Sequence, residues 1–214
     1  MIEHLRKSGK GEKVVALSGH YIVKQIKDDA WVWLLAESEQ LFIQKLTDNK
    51  ILLKLLAAPH VDLNWEMGDE RTVYKNFQES TVEWDKNLFQ PQYKSNYNGL
   101  ELNVAAYINE SEAVKWWHRL GVKGTEYALQ GWKRDKIYPD FLIYGENDKY
   151  YFCETKGNHL ENKDSEYKSK VFEHLTTHAN KAIGEFKLLA NAKEISFDLI
   201  YEDEWKERLI GKGI

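Results

Sequence analysis

The sequence has 214 residues, of which 43% are hydrophobic, 30% charged and 13% aromatic, a mixture that can bury a core and excludes a disordered chain. A single cysteine, Cys153, rules out an intramolecular disulfide and a cysteine-based zinc cluster, and suits a reducing compartment. The net charge of −4 lacks the basic excess that marks many nucleic-acid binders; with no signal-peptide core and no stretch near the roughly 20 apolar residues of a membrane helix, the expected setting is cytoplasmic, with no membrane partner.

In chain order, about 12–37 reads as strands: KVVALSG, HYIVKQI and AWVWLLA are rich in Val, Ile, Tyr and Trp, and Lys27, Asp28 and Asp29 would turn the last two into a hairpin. A helix is predicted over 39–58, where Leu41, Phe42, Lys45 and Leu46, then Ile51, Leu52, Leu55 and Leu56, recur at helical spacing before Pro59. VDLNWEMGDE reads as loop and RTVYKNFQESTVEW as a strand pair. FQPQYKSNYNG carries Pro91, Asn96, Asn98 and Gly99 as breakers. A domain boundary is therefore placed near residue 90, between an α+β module over 1–90 and a second domain over 91–214. No internal repeat is present, which argues against a solenoid.

From Leu100 the periodicity is stronger. LELNVAAYINESEAVKWWHRLG predicts one long helix or two consecutive ones, with Asn98 as cap and Gly121 as stop. EYALQGW and KIYPDFLIY follow as strands, GEND at 145–148 as a turn, and KYYFCETK as the returning strand of a hairpin. A helix over 165–191, the strand EISFDLIY and a short EDEWKERL helix complete an alternating α/β pattern.

The chemistry gathers in YPDFLIYGENDKYYFCETKG. Glu154 and Lys156, two apart on one strand, share a face, and the hairpin folds Asp140 back towards them. Two carboxylates about 4 Å apart repel by roughly 4 kcal/mol at an effective dielectric near 20, so a half-buried pair calls for a cation or a proton. Hard oxygen ligands without His or Cys select Mg²⁺, with Mn²⁺ as substitute. A lysine beside such an ion suits activation of water and stabilisation of charge at phosphorus, hence hydrolysis of a phosphodiester. Pro-Asp alone or Glu-Thr-Lys alone would be an ordinary strand end. The joint pattern, apolar runs FLIY and YYFC flanked outside by charge, is what gives the functional reading its weight.

These residues carry a resemblance. With LFQPQY, YNGLELNVAAYI, VKWWHR, YALQGW, KIYPDFLIY, ETKGNHL and DSEYK, the stretch from about 88 to 176 resembles the PD-(D/E)xK nuclease superfamily, and more narrowly the C-terminal endonuclease domain of type III restriction enzyme Res subunits and related helicase-like proteins. The resemblance implies a restriction-endonuclease-like α/β fold, a central mixed β-sheet flanked by helices. It implies metal binding by Asp140, Glu154 and the backbone carbonyl of Thr155, assistance to the attacking water by Lys156, and an acidic site completed by Glu101. Glu101 also fits a plain helix-start charge, favoured there by the helix dipole. Asp164, Tyr167 and Lys168 match a family stretch after the catalytic strand, and Lys168 is the candidate substrate contact among them.

The overall acidity conceals a basic stretch. From Lys115 to Lys136 six basic residues face two acidic ones, a local net charge of +4, interleaved with Trp116, Trp117, Tyr127, Trp132 and Tyr138. Arg119, Lys133, Arg134 and Lys136 are candidate phosphate contacts, whereas Trp117 belongs to the apolar face. His174 and His178 are four apart on a helix but lack a third zinc ligand; His118 and His159 are candidate proton donors. GKGEK does not have Walker A spacing, so no ATP site is expected. The function expected is that of a Mg²⁺-dependent endonuclease acting on DNA, of restriction or defence type, with a helicase/ATPase or methyltransferase subunit as possible partner. The alternative is a non-catalytic nucleic-acid or protein-binding module that docks a helicase.

Overall fold

The computed structural model describes residues 11–48, 81–88, 92–120, 128–158, 163–183 and 192–214, with 11–23 described by backbone alone. Two compact units, Met1–Gln44 and Lys45–Ile214, divide the chain. The predicted loop at 61–70, most of the predicted strand pair at 71–84 and the second half of the 39–58 helix lie outside the described residues.

The strands expected over 12–37 are replaced by one helix, α1, Gly11–Thr47. Val, Ile and Trp lower helix propensity only slightly, and no proline interrupts the stretch. Lys27, Asp28 and Asp29 sit within the helix rather than in a hairpin turn, and Gln25 donates to Asp29 Oδ1 at 3.0 Å across one turn. Trp31, Val32, Trp33 and Leu34 are all exposed. Four consecutive helical residues step round the whole axis at about 100° each, so strand-like alternation is absent. Phe42 and Leu46, four apart, are buried.

In the second unit β1 (Thr81–Val82) pairs antiparallel with β2 (Gln92–Tyr93). Helix α2, Gly99–Glu110, starts with a capping box: Asn98 Oδ1 accepts from Glu101 N and Glu101 Oε2 from Asn98 N, both at 2.9 Å, satisfying two otherwise orphaned donors. It ends at Ser111, which is extended. The next segment is therefore not helix but strand β3, Val114–Arg119. A register shift between Val114 and Trp116 puts Val114 and Trp117 in the same core cluster. The extra residue of such a bulge makes a three-residue spacing on one face, which imitates a helical period. KIYPDFLIY divides as well. β4 (Leu129–Gln130) pairs with β5 (Lys136–Ile137), and after Pro139 the chain enters another sheet as β6, Phe141–Gly145. Strand β7 (Lys149–Lys156), helix α3 (Lys163–Lys181), β8 (Glu194–Tyr201) and α4 (Trp205–Gly211) follow.

The main sheet has the order β3-β6-β7-β8, antiparallel at the first two junctions and parallel at β7–β8. A parallel pair needs a long crossover, which contains α3. Strand alternation separates the two faces. Trp117, Phe141, Ile143, Tyr151, Cys153 and Ile200 form one core with Val104, Ala105 and Ile108 of α2 and with Trp205 and Leu209 of α4. Phe152 stacks on Phe197, and Phe197 on Phe172 of α3, on the opposite face. The fold is thus mixed α/β, a mixed sheet flanked by helices. No helix among the described residues is long and apolar enough to cross a membrane.

Candidate active site

The site forms where β6 begins and β7 ends. Asp140 N donates to Cys153 O at 2.8 Å, the last rung of the β6–β7 ladder at that end. On the other edge of β7, Lys156 O accepts from Glu202 N at 2.9 Å. A strand residue turns its N–H and C=O to the same edge and its neighbour turns them to the other. Thr155 therefore faces the edge where β6 has not yet started. Its N–H donates to Asp140 Oδ2 at 2.7 Å and its Oγ1 at 2.8 Å, and strand geometry turns its carbonyl to the same edge.

Glu154 points to the α3 face, with a side chain 8% exposed. Its Oε1 accepts from Lys168 Nζ of α3 at 2.7 Å, and Lys156 Nζ lies 3.6 Å away. Its Oε2 is buried without a hydrogen-bond partner. Burial pushes the Glu154 carboxyl above its ordinary value; Lys168 pulls it back, the charge of Asp140 adds to the push, and Lys156 pulls against it. Burial would lower the Lys168 ammonium, yet its bond to Glu154 holds it above the ordinary value.

Glu101 lies across the sheet, on the α2 side, and both its oxygens are occupied: Oε2 by Asn98 N–H and Oε1 by Arg119 Nη2 at 2.9 Å. Arg119 is 9% exposed, so it is not a surface phosphate contact. Its Nη1 donates to Leu120 O at 2.8 Å and Asp140 O at 3.0 Å, and lies 3.4 Å from Asp140 Oδ1. The guanidinium's fixed fork serves three segments at once, linking α2 to the start of β6. Glu101 thus reaches Asp140 through Arg119 rather than as a third open carboxylate. Among the described residues no three His, Cys, Asp or Glu side chains gather as a metal-binding group.

The basic stretch disperses. Lys115 is bound to Asp148 at the turn of the β6–β7 hairpin, and Lys123 lies outside the described residues. Lys133 sits over the ring of Tyr167, 4.1 Å from its centroid, and its N–H donates to the Tyr167 hydroxyl at 3.1 Å. Arg134 and Lys136 are exposed on the segment leading to Asp140. Trp117 is fully buried. His174 and His178 lie on α3, His118 is buried on β3, and His159 lies outside the described residues.

Sequence reasoning named Lys168 and Tyr167 but missed what they bind: Lys168, expected as a substrate contact, is turned inward onto Glu154 with its side chain 17% exposed. Lys168 stands closer to Glu154 than Lys156 does; the i, i+4 spacing of Asp164 and Lys168 was visible, but the docking of α3 on β7 was not. Tyr167 clamps the 131–135 loop onto α3, where Trp132 packs edge-on against its ring at 4.8 Å. Asp140 lies near enough for its charge to raise the Glu154 carboxyl; carboxylate and carbonyl oxygens are the donor type a hard divalent cation that keeps water ligands would take, and the unpartnered buried Glu154 Oε2 is an oxygen such an ion would satisfy. Set against family models, curated proteins and solved structures, the chain finds no match in any of them.

Proposed function

We propose that the protein is a Mg²⁺-dependent endonuclease that hydrolyses DNA phosphodiester bonds, of the restriction or defence type, with its mixed sheet of the restriction-endonuclease-like kind. The observation that carries this reading is the open end of the β6–β7 hairpin, where Asp140, the Thr155 carbonyl edge and a Glu154 with one unpartnered oxygen meet Lys156. Asp140, Glu154 and Thr155 would hold Mg²⁺ or Mn²⁺. Bound there, the ion would polarise a phosphoryl oxygen and lower the pKa of a water.

The chain's own residues supply the rest. Thr155 fixes Asp140 through two hydrogen bonds, and Arg119 braces the backbone that carries it. Lys156, with a side chain 19% exposed, reaches the point where the attacking water and the developing negative charge must sit. Arg134 and Lys136, exposed just upstream, hold phosphates on either side of the scissile bond. Cleavage would leave a 3′-hydroxyl and a 5′-phosphate. The partners in this reading are DNA and a helicase/ATPase or methyltransferase subunit, and the setting is cytoplasmic.

The test is nicking of supercoiled plasmid with Mg²⁺, a chelator control, and the Asp140→Asn and Lys156→Ala proteins alongside. Activity should vanish with chelator and fall at least about a hundredfold in each variant, the scale on which a transition-state partner is lost, with circular dichroism unchanged. Tight DNA binding without turnover in the wild type would move the protein to the alternative, a non-catalytic binding module.

A further inference from the structure

The acids at the open end of the hairpin already carry cations of their own, and the one nearest Glu154 comes from outside the hairpin. Lys168 Nζ is 2.7 Å from Glu154 Oε1, nearer than Lys156 at 3.6 Å. Its side chain is 17% exposed, so the pair is shielded from screening by salt. On its solvent side, one helical turn earlier, Asp164 Oδ2 stands 3.5 Å away with a side chain 55% exposed. Lys168 therefore has two carboxylate seats, one buried in the site and one facing water.

We propose that Lys168 is an internal counter-ion that competes with the divalent cation for Glu154: it neutralises the buried carboxylate when the site is empty of metal and shifts to Asp164 when metal is bound. The proposal rests on the endonuclease reading for the identity of the metal ligands and adds to it a residue that sets their affinity. An ammonium on Oε1 and a divalent ion on Oε2 of one buried carboxylate repel each other across it, so they cannot both sit at Glu154 without loss. A lysine with a second carboxylate one turn away can give way without being left unpaired. Lys168 is accordingly a positioning residue, acting on the reaction through Glu154.

The experiment is calorimetric titration of Mn²⁺ at pH 8 into the full chain, with no DNA present. Four proteins are compared: wild type, Lys168→Met, Lys168→Gln and Lys168→Arg; Asp140→Asn serves to locate the binding. Both neutral variants should bind Mn²⁺ at least about tenfold more tightly than wild type, and Lys168→Arg should match it. Two neutral variants guard against a fold defect in one of them, which thermal melts would show. Wild-type binding that Asp140→Asn abolishes but Lys168→Met and Lys168→Gln leave unchanged or weaken would overturn the competition and spare the metal site. Absence of Mn²⁺ binding in all four would overturn both together.

Discussion

The β6–β7 hairpin has an acid attended by two lysines at each end, and the two ends do opposite things with them. At the turn, Asp148 Oδ1 accepts from Lys115 Nζ at 2.7 Å and Tyr144 Oη at 3.0 Å, and Lys193 Nζ stands 2.9 Å from Oδ2. Every oxygen has a partner. Those bonds, that of Lys115 first, hold the carboxyl well below the ordinary range. At the open end Glu154 has Lys168 and Lys156 on one oxygen and nothing on the other, and burial drives its carboxyl up. Identical ingredients give a finished structural joint at one end and an unfinished valence at the other. An unsatisfied buried oxygen is a standing cost, and the proposed metal is what would offset it.

The sharpest test of this contrast is catalytic. Asp140→Asn at the open end should cut nicking at least about a hundredfold, while Asp148→Asn at the turn should leave it unchanged; equal losses at both ends would erase the distinction. Packing gives the next largest effect. A methyl added at Gly131 falls on the hydroxyl of Tyr167 and within 2.7 Å of Val171 Cγ2, beside the helix that carries Lys168. Gly131→Ala should cost about 1–3 kcal/mol, each kcal/mol lowering the melting temperature by about 2–4 °C in a chain of this size. At the turn, Gly145→Ala meets chiefly the Asn147 side chain, 2.5 Å away, which can swing aside, so its loss should be clearly smaller.

Thr155→Val removes the 2.8 Å hydroxyl bond to Asp140 but leaves the 2.7 Å amide bond. It should cost about 1 kcal/mol in a melt, and the same loss of hold on Asp140 in the transition state should lower nicking by about fivefold. The smallest effect is the pH response of the turn. Asp148 titrates lower folded than unfolded, so the unfolded chain binds more protons in acid, and the stability this group contributes is lost as pH falls below about 3.9. The melting-temperature gap between wild type and Asp148→Asn, present at pH 7, should close over that window. Glu154 has the opposite sign: its raised carboxyl makes ionisation oppose folding as pH rises above about 4.3. A Glu154→Gln protein whose melting curve followed the pH trend of Asp148→Asn would contradict the assigned environments.

Legibility in the sequence tracked how local the determinants were. The β6–β7 hairpin could be read because the apolar runs FLIY and YYFC flank a four-residue turn, and EISFDLIY stood out as a strand for its alternation; short-range pattern, not long-range packing, marks all three strands. The convergence of Asp140 with Thr155 and Glu154 follows from that hairpin. Helix α1 was hidden by Trp31, Val32 and Trp33, whose propensities speak for strand although the run lacks period two. Strand β3 was hidden by its bulge, which gave Val114 and Trp117 a helical spacing. Misplacing β3 concealed Arg119, since only the pairing of Arg119 with Phe141 brings the guanidinium to the start of β6. The pairing of Lys168 with Glu154 depended on the docking of α3 against the sheet, which no short-range pattern encodes.

The Thr155 amide has a further use. Most β-sheet amides give their proton to a neighbouring strand, but this one gives it to the carboxylate of Asp140. Its chemical shift and hydrogen-exchange rate therefore follow the position of that side chain rather than the breathing of the ladder. A single resonance in a spectrum of the resting protein becomes a gauge of whether the acid is still held by its own backbone or has been drawn away, with no substrate and no turnover required.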